Sequence, residues 1–282
     1  MRDLRYVVAD VFTDTPLAGN AVAVFTDGRD VETEQMQRLA REMNLSETVF
    51  VLPPEEGGHA KMRIFTPVQE IPFAGHPTLG TAFVLAMPLS LIDIRLETGS
   101  GIVPVTLERE GPRIVFGWMD QPIPTVEPYP DERALLDAVG VERSELPVEV
   151  YDNGLTHVYV TLGSEEEVAA LRPDLSALVN LPAAIGVNCF AGSGTRWKTR
   201  MFAPAGGVPE DPATGSAAGP LALHVARHGL VPFGQEIQIS QGAEIKRPSM
   251  LHARVDGSAE NVERVAVGGS AVIVARGEFR LP

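Results

Sequence analysis

Short apolar runs dominate the chain, and helical periodicity is the exception. Tyr6 to Phe12, Ala21 to Phe25, Thr48 to Leu52, Met62 to Phe65, Leu91 to Glu97 and Val103 to Glu108 have the alternation and the β-branched and aromatic content of strands. Glu34 to Met43 instead sets Met36, Leu39, Ala40 and Met43 at helical spacing, which predicts an amphipathic helix that stops at Asn44.

Two distant segments share one order of signals. The first reads Arg63-Ile64-Phe65-Thr66-Pro67, then Glu70, Gly75 and a helix-like stretch to Met87. The second reads Arg200-Met201-Phe202-Ala203-Pro204, then Glu210, Asp211, Gly215 and a helix-like stretch to His228. A strand, a Gly turn and another strand follow each, around Gly99 and Gly242. Such a repeat predicts a duplicated unit and two related halves. Pro122, Pro124, Pro128 and Pro130 crowd Met119 to Pro130, a composition that resists helix and central strand, so the boundary between halves is expected there. If the halves face each other, the two helix starts converge on a cleft whose backbone N–H groups suit a carboxylate.

Composition narrows the function classes. At 282 residues and 44% hydrophobic, the chain can bury one large core or two ordinary ones. No apolar run approaches the roughly 20 residues of a membrane span, and the start has no signal-peptide pattern, so a cytoplasmic protein without membrane contact is expected. The net charge of −14, with no Lys/Arg cluster, argues against a nucleic-acid partner. A single cysteine, Cys189, excludes an intrachain disulfide, a cysteine-rich zinc site and two-thiol catalysis.

Three residues could carry chemistry. His76, in Phe73-Ala74-Gly75-His76-Pro77, stands at a helix mouth, where it could shuttle a proton or simply bond the backbone at the helix entry. Asp211, before Pro212, could face a ligand or cap the helix that follows, and Gly215 and Ser216 permit close approach. Glu47, after Asn44-Leu45-Ser46, is either a strand-mouth acid or base or a solvated carboxylate. His224 and His228 have the spacing of zinc ligands, but the residues between them lack the Glu of a metalloprotease motif, so no metal is expected. Gly75 to Gly80 lacks the Gly-Lys-Ser/Thr ending of a phosphate loop, and Ser216 lacks the spacing of a hydrolase elbow.

Residues Ala40 to Glu47, Arg63 to Pro77, Met119 to Thr125 and Arg200 to Gly219 closely resemble the PhzF family of phenazine-biosynthesis proteins, and the resemblance runs through essentially the whole chain. It implies an α+β, diaminopimelate epimerase-like fold: two similar domains, each a barrel-like, mostly antiparallel sheet wrapped around a central helix. The expected domains are residues 1–119, completed by a strand at about 268–282, and residues 120–267. The two catalytic cysteines of diaminopimelate epimerases fall at Ala74 and Ala213 here, and alanine carries no proton, so a two-thiol racemase is excluded.

In the family pattern the acid and base is the glutamate of Leu-Ser-Glu, here Glu47, with His76 and Asp211 as catalytic neighbours. Ser46, Gly75, Gly215 and Ser216 fall at substrate-binding positions. The resemblance implies a cofactor-free isomerase of trans-2,3-dihydro-3-hydroxyanthranilate, a small cyclic amino acid, and a homodimer. The competing readings are another isomerase or racemase on the same scaffold, and a binding protein without catalysis. Retention of Glu47 speaks against the second.

Overall fold

The computed structural model describes residues 2–182 and 186–281. In chain order its main elements are β1 (Arg2–Val11), β2 (Asn20–Phe25), α1 (Thr33–Met43), β3 (Glu47–Leu52), β4 (Ala60–Phe65), β5 (Glu70–Ile71), α2 (Gly75–Leu89), β6 (Asp93–Thr98), β7 (Gly101–Glu110) and β8 (Arg113–Gln121). There follow β9 (Thr125–Pro128), α3 (Glu132–Val139), β10 (Glu149–Asp152), β11 (Thr156–Thr161), α4 (Glu165–Ala170), α5 (Leu175–Val179), β12 (Gly186–Ser193), β13 (Arg196–Ala203), β14 (Val208–Asp211) and α6 (Gly215–Arg227). The last four are β15 (Ile237–Gln241), β16 (Ser249–Gly257), β17 (Val262–Gly269) and β18 (Ala271–Leu281). Two compact units result, Met1–Asp120 with Gly268–Pro282, and Gln121–Val267.

In the first unit β18 pairs antiparallel with β1, and β1 with β2. Next, β2 runs parallel to β3, β3 antiparallel to β4, β4 antiparallel to β5 and parallel to β6, and β6 antiparallel to β7. The second unit repeats this grammar: β11 parallel to β12, β12 antiparallel to β13, β13 antiparallel to β14 and parallel to β15, and β15 antiparallel to β16. Helix α2 falls between β5 and β6, and α6 between β14 and β15. The duplicated sequence signals are thus duplicated ladders.

The Arg and Glu that recur in both copies have a shared physical task. Arg63 holds Glu70 through two nitrogens at 2.7 and 2.6 Å and lies over Phe65; Arg200 holds Glu210 at 2.9 and 2.7 Å and lies over Phe202. The fork-to-carboxylate geometry pins the short strand β5 to β4 in one unit and β14 to β13 in the other. Those short strands then aim the loops that open α2 and α6.

Both helices are central. Helix α2 is buried along nearly its whole length and packs on β1, β2, β3, β6, β7 and β18. A helix covered on every side has no polar face, which is why its sequence reads as continuously apolar rather than amphipathic. Close packing sets residue size: a Cβ on Gly80 would meet Val22 at 2.7 Å and Val11 at 2.8 Å. By contrast α1 buries only Met36, Leu39 and Ala40, against Phe25, Phe50 and Phe65 among others. Asn44 ends it in the left-handed conformation at φ 50°, and the chain enters β3 three residues later.

Between Met119 and Pro130 the structure contains more strand than the prolines suggest. β8 runs to Gln121, and β9 pairs with β10. Pro128 is the last residue of β9, where proline's missing N–H is tolerated.

Candidate active site

Glu47 is the first residue of β3 and opposes Val22 across the parallel ladder. The turn through Asn44 and half-buried Ser46 brings its side chain to the start of α2, where Glu47 Oε2 lies 3.4 Å from His76 Nε2. The other ring nitrogen, Nδ1, faces the Asn20 side-chain amide at 3.2 Å. His76 is buried, and that burial drives its pKa down to about 3 although the Ala21 carbonyl pulls the other way. The Glu47–His76 contact is therefore one between a carboxyl group and a neutral imidazole, not an ion pair. Helix α2 opens with Ala74 at its N-cap and no side-chain cap, which leaves Gly75 and His76 to present backbone N–H groups.

In the second unit Asp211 ends β14 and is buried. It does not cap α6; Thr214 holds that position, and its hydroxyl donates to Asp211 Oδ2 at 2.7 Å. Gln241 bridges the loop, donating to the Asp211 carbonyl at 2.8 Å and to Thr214 Oγ1 at 2.9 Å while accepting from Thr214 N–H at 3.1 Å. Ser249 donates to the Pro212 carbonyl at 2.9 Å. Every one of these bonds holds the Asp211–Thr214 loop in one shape ahead of the helix.

The first turn of α6 is braced in the same way. Pro220 sits inside the helix and has no N–H for the Ser216 carbonyl four residues earlier. Asn153 supplies the missing donor at 2.8 Å. Gln121 donates to the Gly215 carbonyl at 2.8 Å, and Tyr159 to the Ala217 carbonyl at 2.6 Å. The Ser216 hydroxyl itself meets His157 Nε2 at 3.1 Å. As at α2, no side chain caps the helix start.

Farther along α6, Glu149 of β10 meets His224, His228, Tyr151 and Arg227 at 2.9 to 3.2 Å. Burial alone would raise the Glu149 carboxyl, but these hydrogen bonds and the Arg227 charge hold it well below the usual carboxylate range. Glu149, His224 and His228 are the metal-type ligand atoms that cluster within 4.8 Å among the described residues. Arg227, on the same oxygen, stands where it would repel a cation, and the cluster ties the end of α6 to β10. Cys189 is buried in β12, and burial pushes its thiol up to about 12, so it carries no thiolate.

Glu47, Ser46, Gly75 and His76 thus gather in the first unit, and Asp211, Gly215 and Ser216 in the second. The sequence reading missed Asn20, Gln121, Asn153, His157 and Gln241. The pair Asn153-Gly154, a tight-turn signal between β10 and β11, was the one visible hint.

The family described as phenazine biosynthesis-like protein matches residues 9–277. The chain belongs to this family. It is 53% identical over 277 residues to the trans-2,3-dihydro-3-hydroxyanthranilate isomerase of Pseudomonas aeruginosa, covering 98% of this chain and 99% of that one. The isomerase of the same name from Pseudomonas fluorescens is 52% identical at the same coverage. Among solved structures, the phenazine biosynthesis protein of the PhzF family from Bacillus anthracis superposes with a TM-score of 0.86 at 25% identity, covering 100% of both chains. A hydroxyproline epimerase from Agrobacterium vitis shares the fold, with a TM-score of 0.71 at 11% identity over 98% of this chain and 92% of that one. The chain is thus an isomerase of the phenazine biosynthesis-like family with the epimerase-type α+β fold that the resemblance implied. No helix among its described residues is long and apolar enough to cross a membrane.

Proposed function

We propose that this chain isomerises trans-2,3-dihydro-3-hydroxyanthranilate in phenazine biosynthesis, with Glu47 as both acid and base. The substrate assignment is supported by three relatives of that name, 52 to 53% identical along nearly the whole of both chains. The observation that carries the role of Glu47 is its carboxyl group 3.4 Å from a buried, neutral histidine at an uncapped helix start.

In this reading Glu47 takes the proton from the hydroxyl-bearing carbon C3. The electron pair moves through the diene, and Glu47 returns the proton at C1, giving an enol that relaxes to a ketone. Nothing is oxidised or reduced and the proton is returned, so the balance calls for no cofactor. One carboxylate serves both steps because the transfer stays on one ring face, and holding the substrate against it supplies much of the rate. His76, neutral near pH 7, places its Nε2 3.4 Å from Glu47 Oε2 and brings no positive charge to the carboxyl group. Asp211, held by Thr214, is the second catalytic neighbour, and Ser46 offers a hydroxyl.

The substrate carboxylate falls to the N–H groups of Gly75, Gly215 and Ser216 and to the Ser216 hydroxyl. Arg63 and Arg200 are already committed to Glu70 and Glu210, which supports backbone binding. The reading includes a cytoplasmic homodimer, as the family resemblance implies; sedimentation at equilibrium should give twice the chain mass.

Glu47→Gln tests the mechanism, since glutamine keeps the shape and hydrogen bonds but cannot take and return a proton. Binding should stay near wild type while kcat drops by ~10² to 10⁴-fold. In deuterated water the wild-type product should carry deuterium at C1, diluted by the C3 proton that returns before exchange. Near-normal turnover by the variant would remove Glu47 from the mechanism.

A further inference from the structure

We infer that His157 is a positioning residue for substrate binding: it donates its ring proton to Ser216 Oγ and thereby commits the serine's own hydrogen to an anionic oxygen of the substrate. This rests on the reading above that Ser216 binds the substrate carboxylate.

A serine hydroxyl has one hydrogen and two lone pairs, and a neutral imidazole has one N–H and one acceptor nitrogen. Which of the two donates decides whether Ser216 reaches a ligand as donor or as acceptor. His157 lies on β11 and is 1% exposed, and Ser216 is 3% exposed, so the pair is shielded from bulk solvent. The two meet at 3.1 Å through Nε2. Nδ1, on the far side of the ring, is buried and has no hydrogen-bond partner. It packs over Gly186, the residue opposite His157 in the β11–β12 ladder, where a Cβ would come within 2.8 Å of it.

Burial pushes the His157 pKa down to about 4, against a small opposing pull from Asp152, so the ring carries one proton near neutral pH. Placed on Nδ1, that proton would be a buried donor without an acceptor, the more costly kind of unmade bond. Placed on Nε2, it reaches Ser216. His157 therefore donates, a lone pair of Ser216 is used, and the Ser216 hydrogen is left to donate. Serine in a helix ordinarily turns its hydrogen back to a carbonyl three or four residues earlier. Here the imidazole holds the oxygen instead, and Gly186 is the glycine that makes room for the ring.

Kinetics of His157→Phe, Ser216→Ala and the double variant test this, with His157→Gln as the conservative replacement that restores a donor. Ser216→Ala and His157→Phe should each raise KM about 10-fold with kcat nearly unchanged, because the carboxylate is bound alike in ground and transition states. The double variant should be no worse than Ser216→Ala alone, and His157→Gln should recover part of the loss. If Ser216→Ala leaves KM unchanged, the underlying assignment of Ser216 fails. If Ser216→Ala raises KM and His157→Phe does not, or if His157→Phe lowers kcat at constant KM, the role given to His157 is wrong while that of Ser216 stands. Should His157→Phe fail to fold, nitrogen-15 NMR of the wild-type imidazole decides: the proton on Nε2 is expected, and on Nδ1 overturns the inference.

Discussion

At the scale of single residues, the groups around the two helix starts show what the sequence could and could not tell. Glu47 was singled out only through resemblance, because a carboxylate after a helix is most often solvated; what changes its meaning is His76, 29 positions away, at 3.4 Å. Asn20 and His157 carry no local signal, since each gains its partner only when the strands assemble. Asp211 looked equally like a cap, and Thr214 holds the cap position of α6 instead. Burial of neutral histidines has a measurable consequence. His76 falls from its ordinary 6.5 to about 3 and His157 to about 4, so below pH 6.5 the unfolded chain takes up protons that the folded chain refuses. Their contribution is flat above pH 6.5 and turns destabilising as pH falls toward 4, by an amount on the order of a few kcal/mol. Proton NMR should show both rings still neutral at pH 5.5, and urea denaturation should show stability rising with pH between 4 and 6.5. A His76 resonance titrating near 6.5 in the folded protein would contradict the burial argument.

At the scale of elements, the strands and long helices were legible and the supports beneath them were not. The expected Glu34 to Met43 helix is α1, and the helix-like stretches after Gly75 and Gly215 are α2 and α6. The expected strand from Leu91 begins at Asp93: the Leu91 carbonyl goes to the Arg109 side chain, while the Ile92 carbonyl still takes the Leu107 N–H in the register of the β6–β7 ladder. β5 is two residues long, too short for any periodicity, and exists because Arg63 holds Glu70. Pro220 would ordinarily break a helix; Asn153 explains why α6 continues. Gly219, one residue earlier, gives a test in which sign matters. In an exposed helix Gly→Ala stabilises by up to about 1 kcal/mol. Here a Cβ would stand 2.4 Å from Gln121 Oε1 and 2.5 Å from Val265 Cγ1. Gly219→Ala should therefore cost about 1 to 3 kcal/mol in denaturant unfolding and loosen Gln121 from the Gly215 carbonyl. A variant more stable than wild type would show that the packing here is looser than described.

At the scale of the whole molecule, the first unit is built from both ends of the sequence. β18 pairs with β1 from Arg2 opposite Leu281 to Val11 opposite Ala271, and Phe279 packs against Tyr6 and Phe25. A chain cut after Val267 lacks that strand. The β1 amides that face β18 should lose their hydrogen-exchange protection while those that face β2 keep more of it, and the truncated protein should be poorly soluble, since an unpaired edge beside exposed aromatic rings invites association. Unchanged protection of the β1 amides that face β18 would refute this. The same pairing governs the order in which the protein can be made. A ribosome delivers residues 2–120 first, then spends roughly 7 to 30 s on the approximately 150 residues of the second unit at typical rates. Only afterwards does the strand that completes the first unit emerge. The usual rule that the N-terminal domain folds first is inverted here: the later-made unit is the first that can close, and until then β1 has its β2 neighbour but not β18.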